Sequence, residues 1–446
     1  MTGKNRKQAV VLIHGIGEQV PMDTLRGFVD AVWTSDATVS HPHVPPQLWS
    51  KPDKISGDFE LRRLTTTKNR EERRTDFFEM YWAHLMKETK VAHVRAWVRV
   101  LLLRWPWRIP PQLRAVWWML VVLLFLALLA GLNAVFGWVP IAPGILKACS
   151  LGWVIISSFL TSFLVNVAGD AARYLHVAPP NIEIRRSIRD AGIQLLEKLH
   201  CSNQYDRIIL VGHSLGSVIG YDILTYLWPR FHDARSTGNG LPTPALSKLE
   251  KLARESRAEN IDIHEFQAAQ SDYLAELQSH GNKWLVTDFI TLGSPLAHAS
   301  LLMARTKDEF QRKKQEREFP TCPPVLETLR VHRSNEKKFT FEAAPDVWLP
   351  HHAAVFAPTR WSNLFFPCRC TFLGDLIGGP LASAFGCGIA DIVVETNLRF
   401  GLFAHTLYWT SPRATATGDA PTWIQSLRGA VRICLASNVP TASQVS

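Results

Sequence analysis

The stretch that most constrains the fold of this 446-residue chain is "RIILVGHSLGSVIGYDIL", residues Arg207–Leu224. Its first part has the apolar composition of a buried strand, and its last part has the apolar periodicity of a helix. The G-H-S-L-G motif between them predicts a very tight strand-to-helix turn. Glycine at positions 212 and 216 relieves crowding in such a turn, whereas Ser214 must adopt strained backbone angles. The turn is expected to hold the Ser214 hydroxyl above the sheet, within reach of a base and a substrate carbonyl.

A second apolar strand followed by glycines occurs near the beginning of the chain, in "AVVLIHGIG", residues 9–17. Gly15 and Gly17 would let the backbone approach a substrate closely. We therefore predict that the backbone amides of Ile16 and Leu215 stabilise an oxyanion above the serine. The alternative is that residues 14–17 form only an ordinary turn at the end of a strand.

An acid is expected after the serine in the sequence, and a histidine after the acid. Asp375 lies in "GDLIGG", in the loop after the predicted strand "RWSNLFFP", and is the preferred acid. Asp391 begins another predicted strand and should lie at the opposite edge of the sheet. Asp346 precedes the relevant strand. Both remain alternatives to Asp375.

His405, in "GLFAHTLYW", follows the last predicted strand and is the candidate base. His351 and His352 precede the acid and so break the expected order. His298 follows "GSPLA" and is expected to cap or pack. A serine, an acid and a histidine need no metal and no organic cofactor, and none is predicted.

Apolar strands alternate with helical patterns along the rest of the chain, which predicts a mostly parallel α/β sheet with helices on both faces. Residues 1–90 would form the first part of this domain, and residues 170–446 the remainder. Within the remainder, residues 229–283 form a polar helical insertion. Residues 40–74 are interpreted as a loop or a charged irregular segment.

Residues 115–169 interrupt this domain with two long apolar runs. Val116–Val139 and Ile145–Val167 are each long enough to cross a bilayer as a helix, and they predict a two-helix transmembrane hairpin. Basic residues flank both outer ends, so positive-inside logic places these ends and the catalytic domain in the cytoplasm. The alternative is a buried helical pair in a soluble cap domain.

Residues 91–114 have apolar side chains at helical spacing and arginines on another face, typical of a basic helix lying on a lipid surface. A helix packed on its own domain fits this pattern equally well. The formal charge is +10, and no acidic residue occurs between Thr89 and Gly169. Because the neighbouring runs are so apolar, this basic stretch indicates a membrane partner rather than a nucleic acid.

The seven cysteines are scattered and odd in number, which argues against a disulfide framework and favours a reducing compartment. At the amino terminus, the apolar run is too short for the core of a signal peptide and lacks a cleavage site. We interpret it as a strand.

Several of these stretches resemble the α/β-hydrolase superfamily of serine esterases and lipases. "GHSLGSVIGYDIL" and "TLGSPL" are similar to segments of intracellular phospholipases A1 of the DDHD-domain type. "RWSNLFFP", "GDLIGGPL" and "AHTLYW" resemble the acid and histidine loops of bacterial lipase-like hydrolases. The resemblance covers about residues 9–17 and 205–410, and the apolar hairpin and the polar insertion at residues 229–283 lie outside it. It implies an α/β-hydrolase fold, interrupted here by the predicted hairpin.

The roles implied by the resemblance are those of a catalytic triad: Ser214 as nucleophile, Asp375 as acid and His405 as base. The amides of Ile16 and Leu215 would be the oxyanion donors. The expected activity is hydrolysis of carboxylic esters, with membrane lipids as the expected substrates. Three alternatives stay open: a thioesterase or small-ester hydrolase with the same triad, a non-catalytic membrane scaffold that keeps the fold, and a toxin delivered to other cells.

Overall fold

A computed structural model describes most of the chain, and its residues form an α/β structure around one large sheet. The described residues are 7–16, 20–41, 44–55, 60–86, 105–137, 169–175, 179–232, 243–255, 261–328, 337–344, 347–368, 374–395, 404–410 and 420–434.

The central sheet has eight strands in the order β12-β11-β6-β5-β1-β4-β3-β2. Six of them, from β12 to β4, run parallel to one another, and β3 and β2 continue the sheet as antiparallel strands. The strand bounds are β1 Lys7–Ile13, β2 Leu48–Pro52, β3 Arg62–Lys68, β4 Arg74–Met80, β5 Arg207–His213, β6 Val286–Leu292, β7 Glu327–Thr328, β8 Lys337–Lys338, β9 Thr340–Ala344, β10 Val347–Pro350, β11 Arg360–Phe365 and β12 Ile389–Val393. Strands β7 to β10 form two small hairpin sheets outside the central one.

Helices cover both faces of this sheet, because the central strands bury side chains on both sides. The helix bounds are α1 Asp23–Val29, α2 Pro111–Phe136, α3 Gly169–Leu175, α4 Pro179–Cys201, α5 Leu215–Leu227, α6 Pro244–Glu255, α7 Ile263–Ser279, α8 Ala299–Leu302, α9 Lys307–Gln315, α10 Ala382–Phe385 and α11 Thr422–Val431. One apolar core lies between the sheet and α4 to α7, and the other lies between the sheet and α1 and α11. The predicted mostly parallel sheet with helices on both faces is therefore confirmed.

The prediction of an irregular segment over residues 40–74 is wrong, because β2 and β3 both lie within it. These strands form the antiparallel edge of the sheet, and β2 is largely exposed along its length. A strand at an edge needs few apolar residues, so its sequence lacks the buried pattern that identified the central strands.

The predicted transmembrane hairpin is not supported. Helix α2 covers most of the first predicted span, Val116–Val139, while the second, Ile145–Val167, lies outside the described residues. Within the part of the chain that the structure describes, no helix qualifies as a membrane span. Most of the predicted basic helix at residues 91–114 also lies outside the described residues.

Candidate active site

The candidate site begins at the junction of β5 and α5, where the sequence predicts a tight turn. Ser214 occupies this junction with φ 51° and ψ −128°, a strained combination for a residue with a side chain. A Cβ atom at Gly212 would lie 2.6 Å from the Cα of Ser217, and one at Gly216 would lie 2.3 Å from the carbonyl oxygen of Ile13. Neither position tolerates a side chain, so both glycines are needed for α5 to turn back against β5 and β1.

The loop after β1 reaches the same place, because β1 and β5 are parallel neighbours with Ile13 opposite Gly212. A Cβ atom at Gly15 would lie 3.0 Å from the Cβ of Ser214, so the backbone of this loop passes directly beside the serine. The structure thus brings Gly15 to the predicted position. Gly17 lies outside the described residues, and the roles of the Ile16 and Leu215 amides stay predictions.

The side chain of His14 fixes the backbone of this loop through two hydrogen bonds. Its Nδ1 donates to the carbonyl oxygen of Gly15 at 2.8 Å, and its Nε2 accepts from the amide of Trp82 at 3.3 Å. Burial lowers the pKa of His14 to about 4, so the ring is neutral and both nitrogens are used. A trans peptide is planar, so anchoring the Gly15 carbonyl also directs the Ile16 N–H to the opposite side.

Asp375 and His405 form a hydrogen-bonded pair. The Nδ1 of His405 donates to Oδ2 of Asp375 at 2.9 Å, and Oδ1 of Asp375 accepts from the amide of Ile377 at 2.8 Å. Asp375 is completely buried. Burial opposes its ionisation, but hydrogen bonds from His405, Gly378 and Tyr408 outweigh burial and lower the pKa of Asp375 to about 2. The carboxyl group is therefore charged at neutral pH.

His213, the residue before Ser214, connects the Asp375–His405 pair to the turn at the serine through a hydrogen bond. Its Nε2 donates to the carbonyl oxygen of His405 at 2.8 Å, and the two rings are 5.0 Å apart. Burial lowers the pKa of His213 to about 3, so the ring is a neutral donor. The Nε2 of His405 is buried and has no hydrogen-bond partner in the part of the chain that the structure describes. That nitrogen is the one on which a base would accept a proton.

Gly293 lies at the centre of the site, directly after β6, with φ +56°. A Cβ atom there would lie 2.7 Å from Cε2 of Tyr408, 2.8 Å from Oδ2 of Asp375 and 3.0 Å from Nδ1 of His405. Neither Gly293 nor Tyr408 is assigned a role from the sequence. For Gly293 a signal existed, since it directly follows a strand, as the loop of Gly15 does, and parallel strands end at one edge of a sheet. No comparable signal identified Tyr408.

The alternative acid Asp391 contacts other groups than the histidine. Both carboxylate oxygens of Asp391 accept backbone amides at the start of α10, and Oδ1 also accepts from Nδ2 of Asn363 at 2.7 Å. These partners make Asp391 a structural group that holds β11, β12 and α10 together. Asp346 lies outside the described residues.

The alternative histidines are engaged elsewhere. Nε2 of His298 donates to the carbonyl oxygen of Leu376 at 3.0 Å, so His298 supports the acid loop, in agreement with a packing role. Nε2 of His351 donates to the carbonyl oxygen of Val325 at 3.1 Å, in a separate part of the fold.

The site thus gathers a strained serine, a buried acid–histidine pair and a glycine loop at the carboxyl ends of β1, β5, β6 and β11. Within the described residues, no group of three or more His, Cys, Asp or Glu side chains converges as a metal site would require. Comparisons with protein-family models, curated proteins and solved structures give no match to this chain.

Proposed function

We propose that this protein is a serine hydrolase that cleaves carboxylic esters through an acyl-enzyme, on an α/β-hydrolase fold. One observation carries the proposal: the strained Ser214 adjoins His213, which anchors the backbone of His405, and His405 is in turn paired with the buried Asp375. A nucleophile, an orienting acid and a base, following different parallel strands in that order, are the elements that acyl transfer needs.

The reaction would run in two halves. Oγ of Ser214 attacks the ester carbonyl carbon and gives its proton to Nε2 of His405, while Asp375 stabilises the imidazolium. The amides of Ile16 and Leu215 stabilise the oxyanion of the tetrahedral intermediate. Collapse of the intermediate expels the alcohol, which takes the proton from His405. Water then gives a proton to Nε2 of His405 and attacks the acyl carbon; the carboxylic acid leaves, and Oγ of Ser214 takes the proton back from His405.

We further propose that the ester belongs to a membrane lipid. Large apolar side chains of α2 are exposed, among them Trp118 at 49%, Val122 at 50% and Phe125 at 57%. An exposed apolar patch of this kind is typical of a contact with a membrane or a partner. The stretch from Thr89 to Gly169 lacks acidic residues, and this favours a surface of anionic lipids over other apolar partners.

A panel of acyl compounds tests the function. We expect hydrolysis of p-nitrophenyl esters and phospholipids, and we expect Ser214→Ala to lose at least about 10³-fold in kcat. Ser271→Ala is the matched control, because among the described residues that hydroxyl donates to the carbonyl of Gln267 on α7, outside the site. Faster turnover of thioesters would favour the thioesterase alternative. Absence of all turnover in the folded wild type would reject the proposed hydrolase and favour the scaffold alternative.

A further inference from the structure

The hydroxyl of Tyr408 contacts the candidate acid on the same oxygen as the histidine. Oδ2 of Asp375 accepts from Nδ1 of His405 at 2.9 Å and from the hydroxyl of Tyr408 at 2.8 Å. The Tyr408 oxygen also accepts from the amide of Phe366 at 3.3 Å. A tyrosine hydroxyl has a single proton, and the Phe366 amide supplies its own, so the tyrosine proton points at Asp375.

The Tyr408 hydroxyl is a fixed and always protonated donor. Tyr408 is buried, with its ring against that of Phe366 at 4.8 Å between centroids. Burial and the charge of Asp375 raise the pKa of Tyr408 well above its ordinary value, so the phenol keeps its proton at every working pH. Its ring, held by the end of β11, cannot leave the carboxylate without disrupting the packing around it.

We propose that Tyr408 is a positioning residue of the proposed hydrolase: its hydroxyl holds Oδ2 of Asp375 in line with His405 and limits how strongly that oxygen attracts the imidazolium proton. This inference rests on the proposed function. Two donors on one carboxylate oxygen share its negative charge. Without the tyrosine proton, Oδ2 would attract His405 more strongly but would be held less firmly.

Other titratable groups face the pair from neighbouring elements. They are His213 at the end of β5, His14 directly after β1, and His298 from the segment after β6. Burial lowers the pKa of all three, to about 3 for His213 and about 4 for His14. They are neutral where a histidine base works, so their charge does not change across that range. A shift in the pH profile of a Tyr408 variant therefore reports on Tyr408 itself.

The test is the pH dependence of kcat/KM for a p-nitrophenyl ester, measured for the wild type, Tyr408→Phe and Tyr273→Phe. Tyr273 is the matched control, because its buried hydroxyl has no hydrogen-bond partner among the described residues. For Tyr408→Phe we expect the acid limb of the profile, where kcat/KM rises with pH, to move up by about one pH unit, because Oδ2 of Asp375 then attracts the imidazolium proton more strongly. The plateau of kcat/KM should fall about tenfold, mostly in kcat, because Asp375 is held less firmly. Tyr273→Phe should follow the wild type.

A second variant covers the case in which Tyr408→Phe does not fold. Incorporation of 3-fluorotyrosine at position 408 keeps the ring and makes the hydroxyl a stronger donor, so the acid limb should move down. An acid limb that stays in place in the folded variants would overturn the inference, even if the plateau falls. Failure of the wild type to hydrolyse any ester would instead reject the proposed function, so the two failures are distinguishable.

Discussion

At the scale of single residues, Gly293 combines a positive φ with close contacts to the acid, the histidine and Tyr408. We expect Gly293→Ala to lower kcat/KM by about 100-fold or more, because a methyl group there meets both Asp375 and Tyr408. Gly281→Ala is the control: Gly281 also has a positive φ, +94°, but nothing lies within 4 Å of its Cβ position. Both variants should lose about 1 kcal/mol of stability from the backbone. Urea denaturation and steady-state kinetics separate the two effects, and equal activities would contradict the crowding.

The identity of the acid is tested by a pair of conservative substitutions. Asp375→Asn should reduce kcat by roughly 10³- to 10⁴-fold, because an amide neither stabilises the imidazolium nor fixes the required tautomer of His405. Asp391→Asn should stay within about tenfold of the wild type, since Asp391 contacts Asn363 and α10 rather than the histidine. Steady-state kinetics on both variants checks this. The reverse order of activities would assign the acid to Asp391.

The sequence order of serine, acid and histidine was enough to select residues that lie together. Asp375 is bonded to His405, and His213 joins the backbone of His405 to the turn at Ser214. Tyr408 could not be selected in this way. Its contact with Asp375 depends on where residues 404–410 pack, and tertiary packing decides this rather than any local sequence pattern.

At the scale of elements, the junction between β4 and α1 contains a buried acid. Oε2 of Glu79 accepts from the amide of Met22, just before α1, at 2.6 Å. Burial raises the pKa of Glu79 to about 7, and the hydrogen bond from Met22 opposes this only in part. The folded protein therefore favours the protonated carboxyl group.

This shift predicts a pH-dependent loss of stability. A folded-state pKa above the ordinary 4.5 means that the folded state binds the extra proton. The associated stability is complete below pH 4.5 and is lost as the pH rises through about 7. A glutamine side chain carries no charge at any of these pH values. We therefore expect the free energy of unfolding of Glu79→Gln, relative to that of the wild type, to be higher at pH 8 than at pH 5, by at most about 3 kcal/mol.

Urea denaturation at the two pH values measures this gain. Glu255→Gln is the control, because Glu255 is exposed on α6 and, among the described residues, pairs with Lys251 at 3.9 Å. A constant difference between Glu79→Gln and the wild type at both pH values would contradict the shift.

The elements that could be predicted are those with a buried pattern. "AVVLI" and "IILV" are continuous apolar runs, and they form β1 and β5 in the middle of the sheet. The edge strand Leu48–Pro52 escaped prediction, since an exposed edge is polar and pairs through its backbone. Local composition therefore identifies the centre of this sheet better than its margin.

At the scale of the whole molecule, the proposed lipid contact predicts binding to anionic vesicles through α2. Phosphatidylglycerol vesicles should sediment the protein more strongly than phosphatidylcholine vesicles, because the adjoining stretch is basic and lacks acids. The double variant Trp118→Ser and Phe125→Ser should weaken this binding by about tenfold or more, since two large exposed apolar side chains are lost. The control is Trp49→Ser, on the exposed edge strand and 44% exposed. Equal binding of all three proteins would reject α2 as the contact.

The central claim is that Ser214 is the nucleophile, and covalent labelling tests it most directly. A fluorophosphonate reacts with an activated serine, and trypsin releases Ser214 within the peptide Ile208–Arg230. We expect one adduct per chain, located on Ser214 by mass spectrometry. It should be absent in Ser214→Ala and much slower to form in His405→Ala, whose base is missing. A folded wild-type protein that forms no adduct, or forms it on another residue, would contradict the account.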